Sequence, residues 1–280
     1  MLEGIDGRVA LVTGAARRRG IGRATALRLA REGADVACVD IAAPYDAFPG
    51  HGTASSDELD EVVEEIRSLG RSAVPLRADV SDWDAVHAAV DEAEAALGPV
   101  SLVANVAGGA GLGMGAGPLL QVPEREFTQV IDVNLKGTWI VCRAAATKMV
   151  ERGGDGRIVN VSSQAGKIGW PMLGAYSAAK AGVILLTQVL AKELGPSGIT
   201  VNAVCPGTVD TDLVNPGGGF QTLMDAMEPG GFEAWVRREI PLGRLQHPEE
   251  VASAIAFLCS DDAAYITGEA VNVSGGQTMA

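Results

Sequence analysis

The sequence predicts one α/β domain: a doubly wound parallel sheet of about seven strands with helices on both faces. Three observations predict this fold. Short β-branched runs alternate with longer amphipathic segments, which is the pattern of βαβ units. The strand-like runs are apolar along their whole length, as in a sheet that is covered on both faces. The 280 residues are 47% hydrophobic, and no linker or change in composition divides them, so we expect a single domain over residues 1–280.

The predicted strands share a short run of valine, isoleucine, leucine and alanine bounded by glycine, proline or polar residues. In chain order they are residues 9–13, 35–41, 72–76, 100–106, 157–163, 199–205 and 270–273. Parallel strands need crossover segments between them, and the chain has a long segment at nearly every gap. The order of strands and helices therefore fits a parallel sheet.

The predicted helices carry apolar residues at helical spacing. They are residues 21–33, 57–69, 82–97, 123–152, 176–194 and 248–260. Local signals mark their ends: Gly33 and Gly70 stop the first two, Ser81 is expected to cap the third, the Gly153 break ends the fourth, and Pro248 begins the last.

Three stretches fall outside this alternation: 42–56, 108–117 and 212–246. The first is long for a turn and is either a cover over one end of the site or a surface loop. The second is rich in glycine. The third is long and carries many apolar residues, so we expect a substrate lid there. Those apolar residues either line a pocket for a hydrophobic substrate or pack against a neighbouring subunit.

Charge and composition exclude several classes of function. The formal net charge of −13 disfavours nucleic acid and anionic membranes as partners. No apolar run approaches the roughly 20 residues that span a bilayer, and the first residues do not resemble a signal peptide. The four cysteines stand apart in apolar runs, which predicts buried, reduced thiols, no metal site and a cytoplasmic protein.

A glycine-rich turn joins the first strand to the first helix. Such a turn lets the backbone approach a pyrophosphate, and the free N–H groups of the helix start bind it. The strand–loop–helix context predicts the dinucleotide-binding turn of a Rossmann domain. The residues predicted to contact the cofactor here are Gly14, Arg19, Gly20, Ile21 and Gly22.

Asp40 ends the second strand eighteen residues after Gly22. A carboxylate at that place accepts hydrogen bonds from an adenosine ribose and repels a 2′-phosphate, so NAD is favoured over NADP. The competing signal is the run Arg17-Arg18-Arg19, which could pair with that phosphate.

Tyr176 and Lys180 are four residues apart on a predicted helix and so face the same side. A phenol is a weak base at neutral pH. A neighbouring ammonium favours the phenolate, so we expect Lys180 to lower the pKa of Tyr176. The tyrosine would then exchange a proton with a substrate oxygen while hydride passes between a nicotinamide and the adjacent carbon.

Taken with the glycine loop and with Ser162-Ser163 at the end of a strand, the Tyr176-Ser-Ala-Ala-Lys180 motif resembles the classical short-chain dehydrogenase/reductase family. The resemblance covers residues 7–276. It implies that Ser163 hydrogen-bonds the same substrate oxygen, that Lys180 also holds the nicotinamide ribose, and that Asn134 supports a proton relay. The further cofactor contacts that it implies are Ile41, Asp79, Val80, Asn105, Ala107, Gly108, Tyr176, Lys180, Pro206, Gly207, Val209 and Thr211.

The chain departs from the family pattern at two places. Ala104 replaces the first asparagine of the motif that ends at Gly108, and the glycine loop is two residues longer than usual between Gly14 and Gly20. The extra length leaves the roles of the loop arginines open. Asn134 could equally bridge backbone groups as a structural residue.

The substrate is expected beyond the carboxyl ends of the strands. Gln164, Trp170, Met172 and Leu213 are the candidate pocket residues. They suit a secondary alcohol or ketone with a hydrophobic part.

The favoured function is NAD-dependent interconversion of such an alcohol and its ketone. One alternative is an NADPH-dependent 3-oxoacyl thioester reductase, and another is a nucleotide-sensing protein without turnover. The family resemblance also implies a homotetramer that uses residues 123–152, 176–194 and 270–273.

Overall fold

The structure is a computed structural model that describes residues 2–44, 53–212, 214 and 219–280. The strands within these residues are β1 (Val9–Thr13), β2 (Asp35–Asp40), β3 (Ala73–Arg77), β4 (Val100–Asn105), β5 (Gly111–Leu112), β6 (Gly115–Ala116), β7 (Gly156–Val161), β8 (Ile199–Pro206) and β9 (Ala270–Val273). The helices are α1 (Ile21–Arg31), α2 (Ser56–Ser68), α3 (Trp83–Leu97), α4 (Glu124–Ile131), α5 (Gly137–Glu151), α6 (Gly174–Leu194), α7 (Gly219–Met227), α8 (Gly231–Glu239) and α9 (Pro248–Cys259).

Seven strands form one sheet in the order β3-β2-β1-β4-β7-β8-β9, and every neighbouring pair is parallel. The predicted doubly wound sheet is therefore confirmed. The order reverses direction between β1 and β4, and a crevice opens at such a point beyond the carboxyl ends of the strands. β5 and β6 form a separate two-stranded ribbon.

The sheet is buried on both faces because successive strand residues point to opposite sides. Ala10 and Val12 of β1 belong to the core under α1, α2 and α9, whereas Val9 and Leu11 belong to the core under α3, α5 and α6. Both cores use alanine and valine heavily, which lets the helices lie close to the strands. The uniformly apolar strand runs in the sequence follow from this double coverage.

The predicted helix at 123–152 is two helices joined by a π-helical turn, Asp132–Lys136. Asn134 lies at the centre of the turn. Its side-chain amide donates to the Val130 carbonyl oxygen at 3.0 Å, and the Thr138 hydroxyl donates to the Asn134 carbonyl oxygen at 2.8 Å. Side chains thus donate to backbone carbonyl oxygens within this turn. The apolar periodicity of the sequence does not reveal such an interruption of a helix.

The start of α3 also differs from the prediction. Asp82, and not Ser81, caps the helix, because its carboxylate accepts the Ala85 N–H at 3.0 Å. The Ser81 hydroxyl is turned back to the Asp79 carboxylate at 2.7 Å.

Helix α6 with its following turn corrects the expectation about apolar runs. The segment Gly174–Ser197 has 24 residues and a mean hydropathy of 1.2, which is long and apolar enough to cross a membrane. A mostly buried core helix of a soluble protein passes the same test; here 33% of the apolar window is buried, and α6 packs along β8 and buries the side chain of Lys180. One such helix is weak evidence for a membrane span.

Residues 212–246 contain α7 and α8 within their described part. Trp235, Val236 and Ile240 form a small core of their own, and Met224 and Phe232 pack against it. These five apolar residues therefore pack against one another, an arrangement that neither sequence interpretation considered.

All four cysteines are free and buried, as the sequence predicts. Across the described ranges, no group of three or more histidine, cysteine, aspartate and glutamate residues could hold a metal ion.

Candidate active site

A cavity of about 250 Å³ opens beyond the carboxyl ends of the strands, at the reversal of strand order. Its walls come from the segments that follow β1, β2, β3, β4, β7 and β8, and from α6. The predicted cofactor residues in its lining are Gly14, Gly20, Ile21, Gly22, Asp40, Ile41, Asp79, Val80, Ala107, Gly108, Tyr176, Lys180, Pro206, Gly207, Val209 and Thr211. The structure thus brings together residues that lie almost 200 positions apart in the chain.

The glycine loop forms one wall of the cavity. A Cβ atom on Gly22 would overlap the Gly14 carbonyl oxygen, so only glycine lets α1 begin this close to the end of β1. Gly20 is the residue before the helix, and no side chain caps the free N–H groups there. An uncapped helix start beside a cavity suits a pyrophosphate.

Asp40 and Ser163 line opposite ends of the cavity, because Asp40 ends β2, Ser163 follows β7, and β1 and β4 lie between these two strands. One of the Asp40 carboxylate oxygens accepts the Ala16 N–H at 3.0 Å and the other accepts the Ala42 N–H at 3.1 Å. Burial raises the pKa of Asp40, and these N–H donors act against that rise. The carboxylate is therefore fixed in direction at the edge of the lining, where a ribose hydroxyl could reach it.

The three loop arginines have different surroundings. Arg18 makes a bidentate ion pair with Glu61 on α2, in which two guanidinium nitrogens donate to the two carboxylate oxygens at 2.5 and 2.9 Å. Arg19 pairs with Asp210 and Asp212 and lies outside the cavity lining, unlike the other predicted loop contacts. Only Arg17 lines the cavity. The guanidinium groups of Arg18 and Arg19 are thus held by protein carboxylates, which weakens the case that the run binds a 2′-phosphate.

Ser163, Tyr176 and Lys180 meet at the other end of the cavity. The Tyr176 hydroxyl is hydrogen-bonded to Ser163. The Lys180 ammonium lies 5.5 Å from the centre of the Tyr176 ring and donates to the Val161 carbonyl oxygen at 2.8 Å. The end of β7 and one face of α6 therefore position these three side chains, with the serine and the tyrosine able to contact one substrate oxygen.

The prediction that Lys180 lowers the pKa of Tyr176 is wrong for this structure. Burial raises the pKa of Tyr176 to about 12, and the hydrogen bond to Ser163 only partly opposes it. Burial also lowers the pKa of Lys180 to about 8, because the ammonium leaves water. The tyrosine is thus a neutral phenol at neutral pH, the form that can donate a proton to a ketone oxygen.

Asn134 bridges backbone groups. Its carbonyl oxygen accepts the Gly109 N–H at 2.9 Å, and its amide donates to the Gly109 and Val130 carbonyl oxygens at 2.8 and 3.0 Å. A Cβ atom on Gly108 would lie 2.5 Å from the Asn134 oxygen and 3.2 Å from the Lys180 nitrogen. The side chain thus has the bridging contacts of the structural alternative, and it holds the segment after β4 against Lys180.

Asn105, a predicted cofactor contact, does not line the cavity. Its buried side chain accepts from the Thr13 hydroxyl at 3.2 Å and donates to the Thr138 carbonyl oxygen at 3.0 Å. Thr13 in turn accepts the N–H groups of Val106 and Ala107 at 2.9 and 3.0 Å. Asn105 and Thr13 therefore tie the ends of β1 and β4 together and shape the wall from behind.

Of the four residues predicted for the substrate pocket, the three that the structure describes do not line the cavity. Gln164 is buried against Thr278, whose hydroxyl donates to it at 3.0 Å. Met172 is half exposed, and neither it nor Trp170 lines the cavity. Leu213 lies outside the described residues.

Three apolar residues that the sequence analysis did not select line the cavity. They are Met114, Val133 and Val214, and Met114 belongs to a small apolar cluster that contacts Tyr176. Met114 is the single large apolar residue with a described side chain in the glycine-rich stretch 108–117. Its size among glycine and alanine residues could have marked it as a candidate cavity residue.

Comparisons with known proteins identify the family of the chain. The family model described as enoyl-(acyl carrier protein) reductase matches residues 14–278. The (−)-trans-carveol dehydrogenase of Rhodococcus erythropolis is 37% identical, with 98% of this chain and 99% of that protein covered. The chain belongs to the short-chain dehydrogenase/reductase family.

Two further members of the family are informative. The cyclohexanol dehydrogenase of Rhodococcus sp. is 41% identical, with 98% of this chain and 97% of that protein covered. The crystal structure of carveol dehydrogenase from Mycobacterium avium, in complex with NAD, has a TM-score of 0.90 at 32% identity, with 99% of both chains covered. This protein is accordingly an oxidoreductase of the family that acts on CH–OH groups.

Proposed function

We propose that the protein is an NAD-dependent oxidoreductase that interconverts a secondary alcohol and a ketone. The observation that carries the proposal is one cavity with Asp40 at one end and the Ser163–Tyr176–Lys180 group at the other. The relatives named for carveol and cyclohexanol, and the NAD complex of a similar structure, support it. They favour an alicyclic alcohol as the substrate class.

The residues present fit an NAD cofactor. The glycine turn leaves room for a pyrophosphate, Asp40 supplies a carboxylate for the adenosine ribose, and Thr211 is buried in the wall expected to meet the nicotinamide end. When bound, NAD supplies the acceptor for the hydride of the alcohol.

Side chains of the protein carry out the proton transfer. During reduction the Tyr176 hydroxyl gives its proton to the ketone oxygen and becomes a phenolate. During oxidation the reverse transfer occurs, so the phenolate form of Tyr176 takes the proton of the alcohol. The Ser163 hydroxyl donates to the same oxygen and stabilises charge on it. Lys180 contributes a buried ammonium beside the phenol ring. A nucleotide sensor would not require this group, which favours the enzyme over that alternative.

The lid and the quaternary structure are part of the proposal. Val214 lines the cavity, which supports residues 212–246 as the substrate lid. Exposed apolar side chains on α4, α5 and α6, among them Phe127, Trp139, Leu185 and Val189, support association into a homotetramer through these helices. The buried, free cysteines support a cytoplasmic location.

The proposal is tested by mixing the protein with NAD and a panel of cyclohexanol derivatives, linear 2-alkanols and no alcohol, and following NADH absorbance. We expect turnover with the cyclic alcohols. Reduction of a 3-oxoacyl thioester with NADPH, and no turnover of alcohols, would instead establish the reductase alternative. Nucleotide binding without turnover of either class would favour the sensor.

Replacing Asp40 with asparagine should narrow the preference for NADH over NADPH at least tenfold. The charge that repels a 2′-phosphate disappears, while an amide oxygen can keep one of the two N–H bonds. Fluorescence titration with both nucleotides measures the ratio of dissociation constants. The control is Asp60→Asn, which removes an equal charge from an exposed position on α2. An unchanged ratio in Asp40→Asn would contradict the assigned role.

A further inference from the structure

Arg19 joins the glycine loop to the segment that follows β8. Its guanidinium pairs with the Asp210 carboxylate at 2.6 Å and with the Asp212 carboxylate at 3.7 Å. Its backbone N–H donates to the Asp212 carboxylate, and its carbonyl oxygen accepts the Asp212 N–H, both at 3.2 Å. We call these contacts of Arg19, Asp210 and Asp212 the Arg19 clasp.

The clasp lies outside the cavity but is continuous with two of its walls. Arg17 and Gly20, on either side in the glycine loop, line the cavity, and so does Thr211 between the two aspartates. Thr211 is buried, with 6% of its surface exposed. The clasp therefore fixes the distance between the wall that suits the pyrophosphate and the wall that contains Thr211.

The effect extends to the first residues of the lid. The Thr211 hydroxyl oxygen accepts the Val214 N–H at 3.1 Å, and Val214 also lines the cavity. Any movement of Asp210 and Asp212 away from Arg19 would carry Thr211 and Val214 with it. Arg19 thus acts on the cavity through other residues.

Ion pairs at exposed positions are individually weak. This one differs because two carboxylates and two backbone hydrogen bonds converge on a single residue. It also lies in the part of the glycine loop that is longer than the family pattern.

We propose that the Arg19 clasp is a positioning device that sets the affinity of the cavity for NAD by holding Thr211 against the glycine loop. The inference rests on the proposed use of NAD, but not on the identity of the alcohol. It assigns Arg19 a role in shaping the site and not the direct cofactor contact that the sequence predicts.

The test compares Arg19→Gln with the wild-type protein by NADH fluorescence titration. We expect the dissociation constant to rise about three- to tenfold. The Michaelis constant for NAD should rise similarly, with kcat changed less than twofold, because no reacting group is touched. Arg19→Lys should recover part of the affinity. Salt should narrow the difference between Arg19→Gln and wild type, since it screens exposed charges.

The matched control is Arg67→Gln. Arg67 is as exposed as Arg19, with 49% of its side chain accessible, and pairs with Glu64 far from the cavity. The Arg67→Gln substitution removes the same charge as Arg19→Gln and should leave the NADH affinity unchanged. Equal effects of Arg19→Gln and Arg67→Gln, or no effect of Arg19→Gln, would overturn the proposal.

A cycle of variants decides whether the effect passes through the clasp. Asp210→Asn with Asp212→Asn should weaken NADH binding as Arg19→Gln does, and the triple variant should be no weaker than either. Independent, additive losses would contradict the clasp. NADH binding is measured without an alcohol, so a failed search for substrates leaves this test intact. A wild-type protein that binds no NADH would remove the basis of the proposed function itself.

Discussion

Replacing Tyr176 with phenylalanine is expected to lower kcat for alcohol oxidation by about 10²- to 10⁴-fold, the range typical of losing a general acid–base group. The ring still fills its place beside Met114, but the hydroxyl that exchanges the proton is gone. NADH affinity should stay within about twofold of wild type, because the change leaves the glycine loop and Asp40 untouched. Initial rates at saturating NAD, with NADH titration in parallel, measure both quantities.

The control is Tyr265→Phe, which makes the same chemical change at a fully exposed tyrosine. It should leave both quantities unchanged. A loss of less than tenfold in Tyr176→Phe would show that another group transfers the proton.

Replacing Lys180 with methionine should reduce turnover by about 100-fold or more and yet stabilise the fold at neutral pH. Burial lowers the pKa of Lys180 from 10.5 to about 8, so the folded protein holds a poorly solvated ammonium. At about 1.4 kcal/mol per pH unit this costs on the order of 3 kcal/mol near pH 7. Removing this cost stabilises the variant, but the variant also loses the hydrogen bond to the Val161 carbonyl oxygen, which reduces the stabilisation by about 1–2 kcal/mol.

The pH dependence of this gain has a definite sign. Between pH 8 and 10.5 the unfolded chain binds more protons at Lys180 than the folded chain does, so wild-type stability from this group rises with pH. The stabilisation of Lys180→Met over wild type should accordingly be present at pH 7 and be lost by pH 10. Urea unfolding at the two pH values measures this difference in stability.

Lys192→Met, an exposed change on the same helix, is the reference. A difference that does not vary with pH would mean that Lys180 carries no such desolvation cost.

The two variants separate two properties of one site. Tyr176→Phe is expected to lower kcat with little change in the free energy of unfolding. Lys180→Met is expected to lower kcat and also to remove the desolvation cost of a buried ammonium. A buried ammonium that is bonded to one backbone oxygen is unfavourable for folding, and its presence fits a functional requirement.

Much of the fold could be predicted because it depends on local pattern. β1 and β9 have the bounds that their apolar runs predict, and the βαβ alternation fixes a parallel sheet. Ser163, Tyr176, Lys180 and Asp40 could likewise be found, since short motifs mark them in a recognisable order. The cavity brings these four residues together, while their roles in binding and catalysis remain predictions.

Other predicted site residues lie outside the cavity lining, because distant contacts decide the direction of their side chains. Gln164 follows Ser163 directly, yet it turns to Thr278 near the end of the chain. Asn105 turns to Thr13 and Thr138 and not to the cavity. Spacing could not reveal these choices, because each depends on which residue the fold brings alongside.

The sequence by itself determined the parallel sheet, most of the helices that cover it, the family, the glycine turn and the Tyr176-Ser-Ala-Ala-Lys180 motif, because local periodicity and short motifs encode all of these. The tertiary structure alone decided three things. It buried Tyr176 and Lys180 together and so set their pKa values, since desolvation depends on surrounding atoms and not on spacing. It directed Asn134 to Gly109. It also brought Arg19 to Asp210 and Asp212, nearly 200 residues away, because the carboxyl ends of β1 and β8 lie at the same edge of one sheet.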